Sequence, residues 1–67
     1  MSKTKMLIDE LIKKKANGNS FQETNVKMKL MFKGVMPDKI TDESPDSEEI
    51  IAKIYDVAKD FNITLNN

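Results

Sequence analysis

A chain of 67 residues with neither a cysteine nor a histidine has no covalent staple and no usual zinc ligands with which to hold a small fold together. Its stability must come from a compact apolar core, from efficient helices or from association with another chain. That requirement favours elements that form locally and bury a stripe of side chains. The sequence is rich in such stripes at helical spacing.

Leu7, Ile8, Leu11 and Ile12 recur as one face of a helix over residues 4–16, supported by Asp9–Lys13 and Glu10–Lys14 pairs four apart. Asn17-Gly18-Asn19 ends it, with Gly18 able to take the left-handed conformation. Ser20-Phe21-Gln22-Glu23 has the form of a capping box. Gly34, Val35 and Pro37 read as a helix end, so a second helix is predicted over 21–33. Within it Val26-Lys27-Met28-Lys29-Leu30 alternates as a half-buried strand does. The two end signals and the helix-forming Met, Lys and Leu decide for the helix. Ser44-Pro45 is expected to open a third helix over 45–61, with Ile50, Ile51, Ile54, Val57, Ala58 and Phe61 as its apolar stripe. Asn62 supplies a left-handed cap, and Ile63 folds back over the end. The expectation is an all-α, single three-helix domain with an extended polar connector over 36–44.

The second helix is apolar on two sides. Phe21, Met28, Met31, Phe32 and Val35 share one face at helical spacing, and of these Met28 and Phe32 are expected in the core. Val26 and Leu30 then lie on the far side. Either the 36–43 connector with Ile40 covers them, or with Met36 and Ile40 they form the candidate protein interface, the methionines Met28, Met31 and Met36 offering adaptable contact.

Charge is sorted along the chain. Residues 1–35 carry eight lysines (Lys3, Lys5, Lys13, Lys14, Lys15, Lys27, Lys29, Lys33) and three acids (Asp9, Glu10, Glu23). Residues 36–67 carry eight acids and three lysines, and the whole is neutral. Opposite halves can attract within one chain or between two.

The usual catalytic chemistries find little material. Without His or Cys the serines lack the common base and the best thiol nucleophile is missing, so no enzyme activity, cofactor or small-molecule substrate is expected. The acids between Asp38 and Glu49 do not follow the calcium-loop spacing, and they suit the start of a helix, where the macrodipole favours negative charge. No metal is expected there. No apolar run approaches membrane-spanning length, and the chain is read as cytoplasmic.

The leading expectation is a small interaction or regulatory module that binds a protein, itself or another, through the second helix. The alternative partner is a nucleic acid. The first helix, Gly18-Asn19-Ser20 and a lysine-bearing second helix with Thr24, Val26 and Leu30 together resemble a helix-turn-helix unit over about 30 residues. That resemblance implies phosphate contacts from Lys13, Lys14, Lys15, Lys27, Lys29 and Lys33. With no arginine for guanine edges, such binding would be weakly sequence-specific.

Overall fold

The computed structural model describes residues 2–66. Three helices, α1 (Lys3–Ala16), α2 (Ser20–Phe32) and α3 (Glu48–Asp60), pack around one core, and a short 3-10 turn (Pro37–Lys39) lies between α2 and α3. No strand occurs among the described residues, so the alternating stretch at Val26–Leu30 is helical.

Each helix starts where a side chain meets an orphan backbone N–H. The Ser2 hydroxyl accepts from Lys5 N–H, Asn19 Oδ1 from Gln22 N–H, and the Ser47 hydroxyl from Ile50 N–H. Two of these differ from expectation. Asn19, one residue earlier than Ser20, caps α2 and puts Ser20 in its first turn. Ser47, not Ser44, caps α3. Ser44 is occupied elsewhere: its hydroxyl accepts from Thr41 N–H at 2.8 Å and closes a turn in which Thr41 Oγ1 also accepts from Glu43 N–H. The 36–44 connector holds a 3-10 turn flanked by extended Met36 and Ile40, followed by this hydroxyl-closed turn.

The helix ends behave as the glycine and asparagine placements predict. After α2, Gly34 sits at φ +86°, its N–H bonds the Met31 carbonyl, and the Val35 N–H reaches back to the Leu30 carbonyl at 2.9 Å. After α3, Asn62 is at φ +57° and the Ile63 N–H reaches the Ala58 carbonyl at 2.8 Å. Both are Schellman closures, in which the residue after the left-handed cap packs on the residue five positions earlier. A Cβ at Gly34 would meet only Lys53 Nζ, at an ordinary 3.7 Å. Gly34→Ala is therefore expected to cost about 1–2 kcal/mol through its backbone alone. Urea denaturation monitored by circular dichroism measures this, and a neutral result would show that the left-handed cap does not hold the end of α2.

The core consists of Leu7, Ile8 and Leu11 of α1, Val26 and Leu30 of α2, Val35, and Ile54, Val57 and Ala58 of α3. Ile12, Ile50, Ile51 and Phe61 pack on its edge, as does Ile40 from the connector. The chain end closes over α1: Ile63 and Leu65 reach the core, Lys14 Nζ donates to the Thr64 carbonyl at 2.7 Å, and the Asn66 N–H donates to Glu10 at 2.7 Å.

Candidate interaction surface

Val26 and Leu30 fix how α2 is rotated. Both are wholly buried between α1 and α3, which corrects their assignment as an exposed interface. Val26 lies near the middle of α2 and Leu30 in its last turn. Two ion pairs lie on either flank of this buried face. Lys29 Nζ lies 3.6 Å from Asp60 of α3, and Lys27 Nζ lies 3.6 Å from Asp38 of the 3-10 turn.

The opposite face of α2 therefore points to solvent, and it is apolar. Phe21 is 82% exposed and Phe32 81%, with Met28 and Met31 at 46% each. This corrects the expectation that Met28 and Phe32 lie in the core. Positions 21, 28 and 32 are seven and eleven residues apart, so at 3.6 residues per turn their side chains form one narrow stripe about 16 Å long. Thr24 and Asn25 are exposed between the two halves of the stripe. Their exposure sets these four apart from the wholly buried core side chains, with Phe21 standing separate from the group Met28, Met31 and Phe32. Met36, beyond the glycine, is also exposed at 46%, while Ile40 is partly buried against the core.

The one member of the expected face that is interior is Val35, at 1% exposure. Gly34 explains it. The left-handed residue turns the chain, so the helical wheel does not continue past position 33, and Val35 folds onto Leu30. The clasp is visible in the sequence as Gly34-Val35. Its geometry pairs Val35 with the third residue from the helix end, which is Leu30, and so marks Leu30 as interior. That is the signal for the correct rotation.

The lysines proposed as phosphate contacts do not gather on this outer face. Lys27 is paired with both Glu23 and Asp38 at 3.6 Å, and Lys29 with Asp60. Lys14 Nζ is 2.7 Å from Glu10, and Lys15 Nζ stands 5.0 Å over the Phe61 ring. Lys13 is exposed at the end of α1, and Lys33 is half-buried as the residue closing α2.

Other concave features are mixed in character. A depression of about 380 Å³ between α1, the start of α2 and the 3-10 turn is lined by Lys5, Lys13 and Lys27 and by Asp9, Glu23 and Asp38. Its lysines and acids are balanced in number. Among the described residues no group of three acidic side chains is arranged to hold a metal ion. No helix among them is long and apolar enough to cross a membrane.

No protein family, no curated protein and no solved structure matches the chain.

Proposed function

We propose that the chain is a cytoplasmic, non-enzymatic interaction module that docks on protein through the outer face of α2. The observation that carries this reading is the pair of phenylalanines, Phe21 and Phe32, each more than four-fifths exposed at the two ends of one helical stripe. Met28 and Met31 lie beside Phe32 on the exposed side of the helix, and thioethers adapt to varied partner surfaces. Aromatic anchors flanked by adaptable side chains are the usual energetic centre of an interface. The core needs none of the four, since α2 is anchored by Val26 and Leu30.

A photo-crosslinking amino acid placed at position 32 is expected to give discrete protein adducts in living cells, and one at position 42, in the exposed turn after the 3-10 segment, is not. Position 21 serves as the second probe on the stripe. Equal labelling from positions 21, 32 and 42, or no adduct from either stripe position, would overturn the reading.

A further inference from the structure

We infer that the partner of the α2 face is a second copy of this chain, paired antiparallel across a two-fold axis. The inference rests on the reading of that face as a docking surface and names its occupant.

The first support is the symmetry of the stripe itself. A two-fold interface requires that residue i meet residue j and that j meet i. Running α2 antiparallel to its copy, with the axis beside positions 26 and 27, sets Phe21 against the copy's Phe32 and Asn25 against its Met28. Each of these contacts then occurs twice. An aromatic pair closes both ends of the contact, and Asn25 and Met28 fill the middle. In the same register Met31 falls opposite the copy's Gln22, so the apolar C-terminal half of each helix lies along the more polar N-terminal half of the other.

The second support is charge. Lys27 and Lys29 are the charged side chains that would approach the axis, and each is already neutralised within its own chain by Glu23 and Asp38 or by Asp60. Two copies therefore meet without facing bare lysines, and the opposed helix dipoles favour the antiparallel arrangement. A strongly acidic partner would find these two lysines occupied. The chain's net charge of zero adds no overall repulsion between copies.

The third support is area. Phe21, Met28, Met31 and Phe32 together expose roughly 500 Å², taking a large side chain at roughly 200 Å². With the polar residues around them, two copies reach the low end of the range for specific complexes. The pair is accordingly weak and concentration-dependent.

Sedimentation velocity from about 10 µM to about 1 mM is expected to show a monomer passing to a dimer. Phe32→Ser should shift that midpoint at least tenfold higher, with the helical circular dichroism unchanged. In a mixture of isotopically labelled and unlabelled chains, intermolecular cross-peaks are expected between the Phe21 and Phe32 rings. Within one helix these rings lie about 16 Å apart, too far to give such a signal. A wild type that stays monomeric throughout, a dimer indifferent to Phe32→Ser, or intermolecular cross-peaks confined to α1 or α3 would each overturn self-pairing. A monomer that still gives crosslinked adducts at position 32 would remove the second copy while leaving the docking surface standing, and a monomer without adducts would remove both.

Discussion

Leu30→Ala is expected to destabilise the fold by about 2–5 kcal/mol, whereas Phe32→Ala, two residues on, should change stability by less than about 0.5 kcal/mol. Leu30 is wholly buried between α1 and α3 and also receives Val35 across the Schellman closure, so truncation leaves a cavity at the junction of three elements. Phe32 is 81% exposed, so its removal takes little from the core. A domain of this size has only about 5 kcal/mol to lose. Leu30→Ala should therefore leave a substantial unfolded fraction at room temperature, while Phe32→Ala melts as the wild type does. Urea titrations at a chain concentration low enough to keep both proteins monomeric measure the difference. The reverse order, with Phe32→Ala costly and Leu30→Ala neutral, would mean that α2 is rotated by half a turn from the arrangement described.

Much of the fold is legible in the sequence because its signals are local. The stripes of α1 and α3 appear at helical spacing, and the residues at 7, 8, 11, 54, 57 and 58 are interior as their periodicity requires. Gly34 and Asn62 take the left-handed conformations that their positions announce. The inside of α2 is harder to read, because a helix apolar on both sides gives no one-body signal for its rotation. Counting side chains favours the face with two phenylalanines and two methionines. Packing favours the face with Val26 and Leu30, which are wholly buried while Phe21 and Phe32 on the other side are exposed. Only a two-body cue, the pairing of Val35 with Leu30, distinguishes the two. The candidate surface is thus visible as a stripe, and its direction is not.

The sorted charges divide in the same way between what is local and what is not. The basic first half and the acidic second half are joined by Lys27–Asp38 and Lys29–Asp60, which bridge the halves. Opposite charge along the sequence becomes, in part, a set of ties from α2 to the 3-10 turn and to α3. Each exposed pair contributes little to stability alone. Both lysines flank the buried face, so the pairs accord with the rotation that burial of Val26 and Leu30 sets.

The acidic segment before α3 contributes one tie of a different kind, and Asp46→Ala is expected to loosen the start of α1 more than any surface charge change elsewhere. The Asp46 carboxylate accepts from Thr4 N–H at 3.0 Å, Thr4 Oγ1 at 3.0 Å, Lys3 N–H at 3.3 Å and Ser2 Oγ at 3.3 Å. A residue more than forty positions away thus caps α1, satisfies N–H groups that have no helical partner, and places negative charge at the positive end of the helix. Thr4 and Ser2 are buried, so losing the carboxylate leaves their hydroxyls without this acceptor. The Thr4 N–H bond is the main cause that holds the Asp46 carboxyl below its ordinary value of 3.8; desolvation opposes it, and the Thr4 hydroxyl, Lys3 N–H and Ser2 bonds add to the lowering. A carboxyl whose folded pKa is depressed stabilises the fold above its unfolded value and loses that contribution as pH falls through the folded one. Wild type should therefore be more stable than Asp46→Asn at neutral pH, and the gap should close as pH drops below 3.8. Amide exchange at Lys3, Thr4 and Lys5 should quicken in Asp46→Asn at neutral pH and more in Asp46→Ala. Melting curves for wild type and Asp46→Asn, taken from neutral pH down into the acid range, provide the check. A gap that stays constant across that range would show that the carboxylate acts through shape alone, with no part for its charge.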